Sequence, residues 1–172
     1  QEAEVADRVR FMVMDALRML EFPQGYFDLI NQRMNFSYLR TWDWPNLLQE
    51  YRRVARPGGV IRITESNVLG ETNSQALTQL YTLAVEAFYK GGYLFEQHHD
   101  SITTKLPALM KQQGIQNVQI RTVPFEYHSG DANFAHYYGD ITRFLRTMVP
   151  FLQKWTLMPP DYEQIYQQAL SD

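Results

Sequence analysis

Residues 9–65 read VRFMVMDALRMLEFPQGYFDLINQRMNFSYLRTWDWPNLLQEYRRVARPGGVIRITE, and the order of elements in this stretch decides the fold. Val9–Met14 is almost continuously apolar and β-favouring, the pattern of a parallel strand buried on both faces, and Asp15 is its polar exit. Phe27–Asn31 repeats the pattern after a loop punctuated by Pro23 and Gly25. From Pro45 the apolar residues Leu47, Leu48, Tyr51, Val54 and Ala55 fall on one face of a helix with proline in its first turn. Arg52, Arg53 and Arg56 suit the negative end of that helix dipole, and Arg56-Pro57-Gly58-Gly59 turns the chain into a strand over Val60–Glu65. Strands alternating with helices predict an α/β layered sheet. Ligands of such sheets sit at the carboxyl ends of the strands, here Asp15, residues 31–34 and residues 65–67.

Working outward, a helix is predicted over residues 74–90 with Leu77, Leu80, Tyr81, Ala84, Val85 and Phe88 on its inner face. The polar loop holding His98, His99 and Asp100 follows. A shorter helix then stops at Gly114, with Ile115 placed for an apolar contact after the cap. Val118, Ile120 and Thr122 alternate as a strand that must end or lie at an edge by Pro124. From Asp131 the spacing is helical through Leu152, with a kink expected at Pro150, and a last helix starts near Pro160. The first ten residues mix acids, bases and alanines like a helix end and not like a signal peptide.

The chain has 172 residues, 45% of them hydrophobic and 20% charged, enough for one sizeable core. A net charge of −3 offers no basic footprint for a polyanion, so nucleic acid is not the expected partner. With no cysteine there is no disulfide framework, thiolate metal site or cysteine nucleophile, and the cytoplasm is a permitted location. No apolar run approaches the roughly 20 residues that span a bilayer, so no membrane partner is expected.

The strand-Asp15-Ala16-Leu17 turn, the Phe27-Asp28-Leu29-Ile30 strand and the helix-Arg-Pro-Gly-Gly-strand unit together resemble the later part of the nucleotide-binding core of class I S-adenosylmethionine-dependent methyltransferases, and the stretch KQQGIQNVQIRTVPFEY (residues 111–127) with the closing DYEQIYQQALSD (161–172) is similar to the bacterial small-molecule type of that class. The resemblance implies S-adenosylmethionine as methyl donor, S-adenosylhomocysteine as product and a small or medium organic acceptor. It implies that the Asp15 carboxylate accepts from the adenine amino group, that the backbone of Ala16 and Leu17 reaches the ring, and that Gln32 lies beside the methionine end. Arg33, Glu65, His98 and His99 would line the acceptor side under an aromatic cover. Asp28 and the Arg-Pro-Gly-Gly turn would be structural. Asn31-Gln32-Arg33-Met34 departs from the Asn/Asp-Pro-Pro-aromatic signature of enzymes that methylate base or glutamine nitrogens. No catalytic residue is assigned except His99 as a candidate general base, for which capping or surface hydrogen bonding is the competing reading. Neighbouring histidines in a strand-like loop would point apart, so no metal is expected there.

The family's Gly-rich GxGxG turn occurs nowhere in the sequence. The chain is therefore expected to be a fragment that also lacks the family's last strand, inactive by itself, its methyl-transfer role belonging to the intact parent. Residues 1–128 would be the later part of the core, with a helical cover at about 66–113, and residues 129–172 a helical insertion and C-terminal helix of the same domain. The family's sheet order runs third, second, first, fourth, fifth, seventh, sixth. Only the Phe27 and Val60 strands would then remain paired, and the partial Rossmann-like sheet would be rearranged or completed by homodimerisation. Two other classes compete. A nicotinamide-dependent oxidoreductase shares the architecture but not the Arg-Pro-Gly-Gly signature, whereas a non-catalytic interaction module or degenerate methyltransferase-like subunit fits the missing turn.

Overall fold

A computed structural model describes residues 8–172. The sheet is the pair expected to survive: β1 (Phe27–Arg33) and β2 (Ala55–Thr64) run parallel, joined by helix α1 (Asp43–Val54). The apolar positions of α1 drive it onto the core, and Trp44, Leu47, Leu48, Tyr51 and Val54 are all buried. Ala55 already leaves the helix with extended backbone (φ −72°, ψ 135°). Strand register then places Phe27 opposite Ala55 but Leu29 opposite Val60, so Arg56–Gly59 bulges out of the ladder. Glycine is required at the bulge. Gly58 has φ +78°, and a Cβ on Gly59 would lie 3.0 Å from the carbonyl oxygens of Phe27 and Arg56. Arg56 Nε meets Asp28 Oδ1 at 2.7 Å beside the bulge, which gives Asp28 a structural contact.

Two expected strands do not form. Val9–Met14 joins no strand ladder among the described residues, and Phe11 and Val13 stand in solvent at 93% and 105% relative exposure. Residues 118–122 likewise lie outside any ladder, with Ile120 exposed. The physical reason is common to both: a strand exists only with a hydrogen-bonded neighbour, and neither segment adjoins β1 or β2 in the sheet. Among the described residues the architecture is thus α/β with a two-stranded parallel sheet and six helices. The first seven residues of the expected N-terminal helix end lie outside the described residues.

The predicted helices are present as α2 (Gln75–Lys90), α3 (Ser101–Gln112), α4 (Phe134–Thr147), α5 (Val149–Trp155) and α6 (Tyr162–Ser171). Ser74 caps α2 by accepting from Leu77 N–H at 3.0 Å. Gly114, with φ +76°, ends the turn after α3, and Ile115 N–H returns to the Met110 carbonyl at 3.0 Å. The helical run is interrupted at Met148, which separates α4 from α5 and leaves Pro150 in the first turn of α5. α5 and α6 pack on α2, so Leu145, Met148, Leu152, Tyr162 and Tyr166 share one core with Leu48, Leu80 and Ile102, across the expected subdivision at residue 128. Among the described residues no helix is long and apolar enough to cross a membrane.

Candidate functional site

The carboxyl ends of β1 and β2 meet in a polar network. Gln32, the penultimate residue of β1, is buried, and Glu65 follows the last residue of β2. Gln32 Nε2 donates to Glu65 Oε1 at 3.0 Å, and the Tyr51 hydroxyl donates to Gln32 Oε1 at 2.7 Å from α1. The same carboxylate accepts from the backbone N–H groups of Asn35 at 2.8 Å and Phe36 at 3.4 Å. Gln32 therefore links Tyr51 to Glu65 through the two ends of its amide, and Glu65 ties the loop after β1 to the end of β2. Burial raises the Glu65 carboxyl above its ordinary 4.5, although its three hydrogen bonds pull the other way. Burial and the neighbouring Glu65 charge raise the Tyr38 phenol, and burial with the Tyr38 and Glu65 charges raises Tyr51. Both phenols stay protonated at neutral pH. Tyr38, Tyr51 and the two N–H groups are site residues that no motif announces. A tyrosine on the buried face of α1, beside Trp44 and the aliphatic Leu47, Leu48 and Val54, is the one signal in the sequence, because a buried phenol seeks a polar partner.

This network has a pH signature. A carboxyl with a raised folded-state pKa binds its proton more tightly in the folded protein than in the unfolded chain. Its contribution to stability is therefore complete below the unfolded value and is lost as pH rises through the folded value. Urea unfolding of the native protein and Glu65→Gln, across pH 4 to 7, should show the native protein losing stability relative to the variant from about pH 4.5 upward. Parallel curves would remove Glu65 as the titrating group.

Asp15 lies elsewhere, in an exposed turn. Its Oδ1 accepts from Leu17 N–H at 2.9 Å, its Oδ2 meets Arg18 Nε at 3.2 Å, and its carbonyl accepts from Arg18 N–H at 3.1 Å. Ala16 and Leu20 pack against the core. The segment is anchored behind the turn: Leu20 N–H donates to Glu50 Oε2, and Arg53 donates to the carbonyls of Leu20 and Phe22, each at 2.8 Å. Ala16, Leu17, Arg18 and Met19 border a cavity of about 320 Å³ with residues of α1 from Asn46 to Glu50.

Arg33 is exposed at the end of β1. The histidine loop is bound to the chain beyond Glu65, since Val68 N–H donates to the His99 carbonyl at 2.8 Å and the Thr103 hydroxyl donates to Asn67 Oδ1 at 2.8 Å. Contrary to expectation, the two imidazoles do not diverge: their centroids are 4.5 Å apart at 33°. The loop is a series of bends and turns, not a strand, so the alternation rule does not apply. His98 Nδ1 pairs with Asp100 Oδ1, whereas His99 Nδ1 is buried without a partner. Among the described residues no group of His, Asp and Glu could hold a metal. The aromatic cover divides in two. Phe88 and Tyr93 join Phe36 and Phe151 in the core, while Tyr127 stacks on Tyr137 at 4.3 Å and the Tyr137 hydroxyl meets that of Tyr81 at 2.9 Å.

Residues 1–59 match the sequence family described as a methyltransferase domain, consistent with a partial class I methyltransferase. The matched span holds the Asp15 turn, Gln32 and Arg33 and ends within the Arg-Pro-Gly-Gly bulge, before Glu65. No curated protein and no solved structure matches the chain.

Proposed function

We propose, from the methyltransferase-domain match over residues 1–59, that this chain supplies part of an S-adenosylmethionine site, and that the intact parent protein transfers a methyl group to a small or medium organic acceptor. The match carries the reading because its span contains both the Asp15 turn and the strand that ends at Gln32. The residues present suit such a donor. A carboxylate has about four acceptor sites, and Asp15 uses two within its own turn while remaining exposed. It retains capacity for an amino group from an adenine. The small cavity against Ala16 and Leu17 is near the lower end of the roughly 300–1,000 Å³ typical of small-molecule sites.

S-adenosylmethionine, when bound, supplies an electrophilic methyl, so the protein's main task is to hold donor and acceptor in line. Gln32 and Tyr51 fix the end of β1 and orient Glu65. Glu65, made more basic by burial, takes up a proton released by an acceptor hydroxyl or amine, and Arg33 and the His98-His99 loop border the acceptor.

Calorimetric titration of the intact parent protein tests the donor assignment. Asp15→Ala should weaken S-adenosylmethionine binding about ten- to a hundredfold, the loss of one charge-assisted hydrogen bond of about 1.5 to 3 kcal/mol. Asp15→Asn keeps an oxygen for the Leu17 N–H and should lose affinity without loosening the turn. Equal affinity in all three proteins would refute the role of Asp15. A non-catalytic interaction module is the second reading, favoured by the unpaired outer edge of β2. Absence of any S-adenosylmethionine binding by the parent would support it.

A further inference from the structure

The outer edge of β2 and a stretch outside any ladder wall the same cleft. Every residue from Ala55 to Glu65 lines it. Successive side chains of a strand point to opposite faces, so only the outer edge of β2 can present all of them to one space. Among the described residues β2 pairs with β1 alone, which leaves the donors and acceptors of that edge without a ladder partner. The other wall includes Gly114–Ser129, which exposes Ile120, Val123 and Phe125. At about 2800 Å³ the cleft is several times larger than the roughly 300–1,000 Å³ of small-molecule sites. Its dimensions suit a polypeptide.

The chain itself contains a segment of the matching kind. Val9–Met14 is β-favouring and unpaired, and Val9, Phe11, Met12 and Val13 are exposed. Six residues extend about 20 Å, the length of Val60–Glu65. Phe11 alone would remove about 150–250 Å² from water. With its three apolar neighbours and reciprocal exchange between two copies, the buried surface reaches the order of the 1,200 Å² that specific interfaces require. We propose that two copies of this chain exchange Val9–Met14, each segment adding as a strand to the outer edge of β2 in the partner. The inference is independent of the methyltransferase reading.

The protein has no cysteine, so single cysteines report without background. Val13→Cys and Val60→Cys variants, mixed in equal amounts and mildly oxidised, should form a covalent dimer containing one chain of each. Light scattering of the native protein should give twice the monomer mass at micromolar concentration. Phe11→Asp with Val13→Asp should return it to monomer mass with unchanged circular dichroism, because both side chains lie outside the core. The proposal is overturned by monomer mass at all concentrations or by a dimer that survives the aspartate pair. Cross-linking within one chain of a dilute Val13→Cys/Val60→Cys protein overturns it as well, since it places the segment on its own β2 edge. Preferential linkage of Phe125→Cys to Val60→Cys between copies would assign the edge to the other wall of the cleft, and so would also overturn it.

Discussion

Replacing Glu65 by alanine should lower stability by about 3 kcal/mol in urea unfolding. The substitution removes the acceptor for Gln32 Nε2 and for the N–H groups of Asn35 and Phe36 at once. An orphaned buried donor costs about 1 to 3 kcal/mol, and partial exposure of the residue keeps the sum toward the lower end. A drop in the urea midpoint with an unchanged slope would locate the effect in the folded state. A loss below about 0.5 kcal/mol, within the range of ordinary surface substitutions, would mean that water replaces the carboxylate and that the network does not hold the strand ends together.

A larger loss, about 3 to 5 kcal/mol, is expected for Trp44→Ala, since Trp44 is fully buried and its removal leaves a cavity in the core. Trp44→Phe separates two contributions. It keeps most of the ring, and it removes an indole N–H that is buried without a partner. Relief of that orphan offsets part of the lost packing, so Trp44→Phe should cost less than half as much as Trp44→Ala. Comparable losses for the two variants in thermal and urea unfolding would show that the indole N–H is satisfied.

The helices were legible because their determinants are local. Leu47, Leu48, Tyr51 and Val54 repeat at helical spacing, Ser74 stands where an N-cap is required, and Gly114 supplies the left-handed conformation after α3. β1 and β2 were legible for a related reason: one helix links them, and Gly58 and Gly59 mark the bulge. Val9–Met14 has the composition of a strand but forms none, because an apolar run states that residues favour burial and not which neighbour will bury them. At the site, strand-end position brought Gln32 and Glu65 into view. Their connection could not be read, because it passes through Tyr51 on α1 and the backbone of Asn35 and Phe36. The histidine pair shows the same limit, since its geometry depends on a turn that no periodicity encodes.

The two halves of the molecule also differ in how far the chain must travel to make them. Gln32 and Glu65 meet across 33 residues, whereas Ser74 on the approach to α2 meets Asp172 after α6 across 98. On loop-closure entropy alone the longer connection costs about 1 kcal/mol more, and contacts of greater separation form more slowly. The β1-α1-β2 unit is therefore the natural first structure in folding, and the packing of α5 and α6 on α2 comes later. The converse holds in unfolding: partial opening would release the helical half while the Gln32–Glu65 clasp persists, exposing the inner face of α2 with the strand ends still joined.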